Sequence, residues 1–195
     1  MRPPLLHGLV GLLLWSCQPP SSPSPPPKVT NSAPSPSTQK WREWADSLTL
    51  ERQRLILESL LRTAEREGWA GAVRYCHTAA ESLTFYQSQK ATFQRVALRY
   101  RNQKNALADS LDQLIYKSFA SSGEKQSIVI PMEDGTLRYY RPIFLSMSQC
   151  LKCHGKSEDI DGEALAEIRK RYPKDQAVGF ALGELRGLWK GIIHP

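Results

Sequence analysis

The sequence predicts an α+β protein with an antiparallel sheet and helices packed to one side of it. Apolar residues recur at helical spacing in the first half of the part that should fold, which favours helices there. Further along, short runs rich in β-branched and aromatic residues are separated by turn signals, which favours strands. The chain has 195 residues, of which 41% are hydrophobic. That length suffices for one domain with a sizeable core and some appended sequence.

The N-terminal residues are typical of an export signal. An apolar run extends from Leu5 to Trp15. It is too short to span a bilayer and matches the core of a signal peptide, which we predict for residues 1–16. The stretch that ends at Cys17 is similar to a bacterial lipobox, so Cys17 is the predicted lipidation site. An ordinary secretory peptide cleaved nearby is the alternative. We expect an exported, membrane-anchored lipoprotein, either periplasmic or on the outer surface.

Residues 17–39 are predicted to form a lipid-anchored linker rich in Pro and Ser. Eight of the 21 positions from Gln18 to Thr38 are Pro. Such a composition cannot bury a core and prefers an extended chain. The linker is expected to hold a folded domain, residues 40–195, away from the membrane.

Four helices are expected in the folded domain. Thr49 is the expected N-cap of the first, because its hydroxyl can accept a hydrogen bond from a free backbone N–H. The apolar stripe of this helix is interrupted at Gly68, and a second helix is expected over Ala70–Thr84, with Cys76 toward apolar neighbours. The other two helices are expected at Leu107–Phe119, ending at Ser121–Gly123, and at Glu163–Arg171.

The expected strands lie between and after these helices. Residues Phe93–Arg101 alternate apolar and basic side chains, which predicts a strand with one apolar and one basic face. The dipeptide Asp134-Gly135, which favours a hairpin turn, is flanked by two apolar runs. Residues Ala177–Ile193 are predicted to form two further strands, broken at glycines.

The chain contains a C-x-x-C-H pattern at Cys150, Cys153 and His154, which is typical of haem c attachment. Each thiol can form a thioether with one vinyl group of a porphyrin, and the histidine can serve as the proximal iron ligand. A zinc knuckle needs two more ligands at a similar spacing, and the sequence has no second C-x-x-C or H-x-x-x-H. A thioredoxin-type redox pair has no need for the histidine. The sequence therefore predicts one covalently attached haem c.

Several candidates remain for the other axial position of the iron, and an open site is a further alternative. Cys76 is left over from the haem motif, although a lone cysteine on an apolar helix face is usually a small hydrophobe. His77 could equally be a surface histidine. Met132 is next to a hairpin turn and Met147 is close to the cysteine pair, so packing is favoured for both. His194 is one residue from the end of the chain.

Arginines near the motifs are candidates for binding the haem propionates, because carboxylates pair well with guanidinium groups. They are Arg99, Arg101, Arg141 and Arg186, and a solvated surface position is the alternative for each. Tyr139 and Tyr140 alternate on their strand, so only one of them should face the haem. Tyr140 is included among the pocket candidates.

Six stretches of the sequence carry a resemblance to a known family. They are AVRYC (72–76), RYRNQKN (99–105), YYRPI (139–143), CLKCHG (150–155), YPKDQAVGF (172–180) and GELRG (183–187). Together they resemble the Tll-like single-haem c family, a bacterial group with a PAS-like fold whose members occur alone or as exported sensing modules. The resemblance implies that residues 40–195 form a PAS-like domain with one c-type haem. It also implies a cysteine from the N-terminal helical part as the second axial ligand, and the matching position is Cys76.

The charge of the chain bears on its partners. There are 26 Lys and Arg against 19 Asp and Glu, a formal net charge of +7. The basic residues are spread along the chain, which favours a solvated surface over nucleic-acid binding. The charge could still favour acidic redox partners or an anionic membrane. The sequence identifies neither the partner nor the oligomeric state.

Two functions fit these features. The first is a haem-based redox or gas sensing module that works with a separate redox or signalling partner. In this hypothesis, a thiolate ligand that leaves on reduction would open a coordination site. The alternative is a membrane-tethered electron-transfer cytochrome, which the long linker would suit. No enzymatic activity is predicted, because the sequence singles out no distal His/Arg arrangement for peroxide chemistry.

Overall fold

A computed structural model describes residues 35–107 and 109–195 of the chain. The expectations for the signal peptide, for Cys17 and for most of the linker lie outside these residues. The elements in chain order are α1 (Pro36–Thr84), β1 (Tyr86–Gln87), β2 (Ala91–Val96), a 3₁₀ helix (Gln103–Asn105), α2 (Ser110–Ser122), β3 (Ile128–Pro131), β4 (Leu137–Phe144), α3 (Ser148–His154), α4 (Gly162–Arg171) and β5 (Leu185–Ile193).

The described strands form one five-stranded sheet with the order β1-β2-β5-β4-β3. Every neighbouring pair is antiparallel. The last strand of the chain is therefore the central strand of the sheet. The α+β class and the antiparallel sheet predicted from the sequence are confirmed, whereas the PAS-like designation stays a prediction. The hairpin between β3 and β4 turns at Gly135, whose φ of +80° suits glycine.

Helix α1 spans 49 residues and begins at Pro36, inside the segment expected to be linker. Thr49 is not an N-cap, because it lies within α1, where its hydroxyl donates to the carbonyl of Ala45 at 2.8 Å. The predicted break at Gly68 is confirmed, since this residue has φ 69° and ψ 179°. Such angles are nearly exclusive to glycine. The break separates a first segment, which packs on the sheet, from a second segment that carries Cys76.

Helices pack on both faces of the sheet, which corrects the expectation of a single helical side. Alternate residues of a strand point to opposite faces. Tyr139 packs with Trp189 and Phe93 on the α1 face. Tyr140 packs with Phe119 of α2 on the other face. Tyr139 therefore contributes to the half of the core on the α1 face, and Tyr140 contributes to the half on the α2 face.

The C-terminal region contains one strand where two were predicted. Residues 177–184 form no strand, and part of this segment packs along the end of α3 instead. The backbone N–H of Gly179 donates to the carbonyl of Gly155 at 2.6 Å, and that of Phe180 donates to the carbonyl of His154 at 2.9 Å. In the part of the chain that the structure describes, no helix combines the length and apolar character needed to cross a bilayer.

Candidate haem site

A cavity of about 420 Å³ lies between α1, the sheet and α3. This volume is within the range of pockets that enclose small ligands and cofactors. Much of its wall is apolar, with side chains such as Ile56, Leu60 and Val73. Nine candidate residues singled out from the sequence also line it: Cys76, His77, Arg101, Arg141, Met147, Cys150, Cys153, His154 and Arg186. The fold thus brings together motif residues that are up to 110 positions apart in the chain.

The cysteine pair lies on α3, which begins at Ser148 and ends at His154. Residues three apart in a helix lie on the same side, so both thiols reach the cavity wall. Cys150 is half-buried and Cys153 is buried, and both thiols are free. Burial raises the pKa of the Cys153 thiol to about 11. Gly155 directly follows the helix, where a Cβ would lie only 2.6 Å from the Cβ of Asp159. The glycine is therefore required for the chain to turn tightly against the helix end.

The ring of His154 is oriented by a backbone carbonyl. Its Nδ1 lies 2.7 Å from the oxygen of Ala177. A carbonyl oxygen can only accept, so Nδ1 carries the hydrogen, and Nε2 retains the lone pair that a metal ligand needs. Burial and the charges of Arg186 and Arg101 hold the pKa of His154 well below its usual value. A neutral imidazole with Nε2 free is the form that binds iron.

The Ala177 carbonyl is held in place by two arginines. Arg101 pairs with Asp175 at 3.2 Å and also donates to the carbonyl oxygens of Cys153 and Ala177. It therefore connects α3 to the segment that orients His154. Arg99 donates to the Val178 carbonyl, and its guanidinium lies 3.9 Å from the centre of the Phe180 ring. Arg99 thus fixes the same segment from outside the cavity, which corrects its expected position in the pocket.

Tyr140 also lies away from the cavity, contrary to expectation. Its hydroxyl donates to Asp112 of α2 at 2.7 Å, and the same carboxylate accepts from Lys190 at 2.6 Å. Burial and the neighbouring Asp112 raise the pKa of Tyr140. The reason is the period of the strand, which turns Tyr140 to the α2 face. Its neighbour Tyr139 bonds to Asp46 of α1 and also contributes to the core.

The candidates for a second axial ligand separate into two groups. Cys76, His77 and Met147 line the cavity. Met132 packs against the α2 side of the core, and His194 lies just past β5, where its backbone N–H donates to Lys90. Burial raises the pKa of the Cys76 thiol, with Arg95 and Arg101 acting in the opposite direction. The ring of His77 lies edge-on to Tyr172 at 5.2 Å. The assignment of the second ligand stays a prediction.

Sequence reasoning missed Arg95, which lines the cavity from β2. The alternating pattern of residues 93–101 contained the signal, because it placed basic side chains on one face. Arg99 and Arg101 of this pattern were candidates for the haem pocket, but Arg95 was not singled out. Arg95 faces the cavity, and its buried Nε has no hydrogen-bond partner among the described residues.

Arg186 reaches the cavity because β5 contains an irregularity. The register shifts between Ile143 and Phe144 of β4, which face Gly187 and Leu185. Arg186 is the extra residue of this bulge, a feature that re-aims a side chain. Burial and the charges of Arg101 and Arg95 lower its pKa to about 9. The cavity therefore combines an apolar wall with excess positive charge, which fits a ligand with an apolar body and anionic groups such as haem.

Within residues 35–107 and 109–195, no group of three or more His, Cys, Asp or Glu side chains is placed to hold a metal ion. No curated protein matches the sequence. One solved structure that is similar to the chain is the crystal structure of the cyanobacterial heme-protein Tll0287. It has 24% sequence identity and a TM-score of 0.49, and the match covers 74% of this chain and 94% of that one.

The family assignment rests on a comparison with family models. The model of the Tll0287-like family matches residues 35–193. This range contains every described element of the fold and each cavity residue named above. The chain belongs to the Tll0287-like family.

Proposed function

We propose that the chain is a haem c protein with one haem, attached through Cys150 and Cys153 and ligated by His154 and Cys76. The observation that carries the proposal is the convergence of the C-x-x-C-H helix and Cys76 on one cavity. The excess of guanidinium groups on the same wall supports it, since haem has two carboxylates. A member of the family, Tll0287, is described as a heme-protein.

The residues of this chain would divide the work of holding the group. When bound, haem supplies a one-electron redox centre and an iron that takes axial ligands. Helix α3 presents both thiols on one side. The Ala177 carbonyl fixes the tautomer of His154, with 2.7 Å between the two atoms. The second segment of α1 presents Cys76, and the apolar side chains of the cavity exclude water.

The proposed role is an exported redox or gas sensing module that works with a separate partner. The resemblance to sensing modules supports it, as does the position of Cys76 on a helical segment set off by the break at Gly68. We also propose the lipid anchor at Cys17 and the absence of enzymatic activity. The second candidate is a tethered electron-transfer cytochrome. The net charge of +7 favours it, because positive charge steers docking to acidic redox proteins.

Covalent attachment is tested by extracting the purified protein with acid–acetone after maturation in a host that assembles haem c. We expect the chromophore to stay with the protein, and we expect the Cys150→Ser/Cys153→Ser variant to release it. Lys152→Ala is the matched control, because this exposed side chain lies within the motif between the two cysteines. A parent protein without bound chromophore contradicts the proposal.

Two measurements separate the sensor from the electron carrier. Binding of CO or NO accompanied by a change in the solution scattering profile supports the sensor. Rapid reduction and reoxidation by an acidic redox protein, without such a change, supports the carrier. Absorption and EPR spectra in both oxidation states provide the reference for each measurement.

A further inference from the structure

Three central strands of the sheet place two arginines in one row across the cavity. Trp189 of β5 pairs with Arg95 on β2 and with Arg141 on β4. Residues that pair directly on neighbouring strands point to the same face of a sheet. Strands lie about 4.8 Å apart, so the two arginine Cα atoms are separated by about 10 Å. Both arginines line the cavity, and Trp189 lies between them.

Neither arginine of this row is neutralised by the protein. The Nε of Arg95 and the Nη1 of Arg141 are buried without a hydrogen-bond partner among the described residues. Within the same residues, neither guanidinium has a carboxylate within ion-pair distance. Burying a charge without a partner is costly. Within the described residues, the protein therefore provides no carboxylate for either guanidinium group.

The other arginines near the cavity are bonded to the protein. Arg101 pairs with Asp175, Arg99 donates to the carbonyls of Gln176 and Val178, and Arg186 donates to the carbonyl of Arg99 at 3.0 Å. These contacts hold the segment around Ala177 and the end of β2. The Nε of Arg101 is likewise buried without a partner, but its Nη2 is bonded to Asp175 and to two carbonyls. Neither Arg95 nor Arg141 has a hydrogen bond or an ion pair among the described residues.

We propose that Arg95 and Arg141 bind the two propionate carboxylates of the haem, one arginine to each carboxylate. This inference rests on the proposed function. The two propionates leave the same edge of a porphyrin, and two cations in one row, separated by an indole, match a pair of carboxylates. A guanidinium binds a carboxylate through two parallel N–H···O bonds. The indole N–H of Trp189 donates to the Oε1 of Gln53 at 3.2 Å, which fixes the position of Trp189 between the two arginines.

The test uses the full chain with Cys150→Ala and Cys153→Ala, so that any porphyrin it binds is held without covalent attachment. Ferric protoporphyrin and its dimethyl ester are titrated into this protein and into versions that also carry Arg95→Met, Arg141→Met or both. We expect each single substitution to weaken binding of the diacid by about 10- to 100-fold, the range for hydrogen bonds to charged groups. Binding of the ester should stay the same. Arg138→Met is the matched control, because Arg138 is on the same strand but pairs with Asp109.

The outcomes distinguish this inference from the function on which it rests. Equal loss of diacid and ester binding, or no loss of either, overturns the assignment of the two arginines. A parent protein that binds both porphyrins equally also overturns it while leaving the haem proposal intact. A parent that binds neither overturns this inference, and the proposed function fails only if the matured chain with both cysteines also carries no chromophore. Thermal unfolding without porphyrin is the second readout. Arg95→Met should not lower the midpoint temperature of unfolding, because the substitution removes a buried charge that has no partner. A lowered midpoint temperature would assign Arg95 a structural role instead.

Discussion

The Nδ1 hydrogen of His154 is donated to the carbonyl oxygen of Ala177, with 2.7 Å between nitrogen and oxygen. The two residues are 23 positions apart, and α4 lies between them in the chain. The orientation of the histidine therefore depends on a segment that the motif itself does not contain. That segment is attached to α3 by Arg101 and by backbone hydrogen bonds at its far end.

Replacing Arg101 should destabilise the fold. Arg101→Met leaves the carboxylate of Asp175, which is 8% exposed, without its ion-pair partner. Breaking a buried pair by removing one member costs about 3 kcal/mol of unfolding free energy. Chemical denaturation measures the change. Arg54→Met is the control, because its ion pairs are exposed on the surface of α1, and we expect little effect from it. An Arg101 variant as stable as the parent contradicts this account of the segment.

Gly155 should not tolerate a larger residue. In Gly155→Ala the new Cβ would lie 2.6 Å from the Cβ of Asp159 and 2.7 Å from the carbonyl oxygen of Leu151. Relieving such overpacking costs about 1–3 kcal/mol and shifts the end of α3. Gly162→Ala is the matched control, since a Cβ at that position would meet no heavy atom within 4 Å, and alanine in a helix is favourable by about 0.5–1 kcal/mol. Thermal unfolding of both variants checks the difference, and equal stabilities would refute the steric argument.

Cys76→Ala should change the ferric spectrum of the mature protein. If Cys76 is the second axial ligand, the low-spin thiolate signals in absorption and EPR are lost in this variant. His77→Ala is the control, because His77 is the adjacent residue and also lines the cavity. We expect the thiolate signals to persist in the control. An unchanged low-spin spectrum in Cys76→Ala excludes this cysteine as a ligand.

Tyr140→Phe should affect stability but not the haem spectrum. The substitution removes one hydrogen bond to Asp112, which is 1% exposed, so we expect a loss of about 1 kcal/mol in unfolding free energy. The carboxylate keeps its bond to Lys190 at 2.6 Å. The visible spectrum should match the parent, because Tyr140 faces α2. A shifted spectrum with unchanged stability would place the tyrosine in the haem pocket after all.

Local sequence signals predicted the elements whose boundaries depend on nearby residues. Helix α2 ends at Gly123, which adopts a left-handed φ of 66°, and it begins after Asp109, whose side chain accepts from the N–H of Leu111 and Asp112. The predicted start at Leu107 was early because the apolar period alone does not locate a cap. The turn at Asp134-Gly135 was correctly located because its chemistry is contained in two residues.

The errors come from contacts between distant parts of the chain. Thr49 is a good N-cap residue in isolation, but in the fold its hydroxyl lies 2.9 Å from that of Tyr139 and α1 continues through it. The apolar residues Ala177 and Phe180 suggested a strand, but they pack under α3 with Leu145. The cavity position of Arg186 depends on the bulge in β5, and no local pattern in the sequence marked it.

The central position of β5 determines when the fold can be completed during synthesis. Strands β2 and β4 do not pair with each other but are both hydrogen-bonded to Leu185–Ile193. A chain that emerges from its N-terminus therefore carries two separate halves of the sheet until Leu185–Ile193 is released. During that interval Cys150 and Cys153 have already been made, and the wall opposite them is incomplete. Both thiols are thus accessible to solvent during that interval, before folding encloses them.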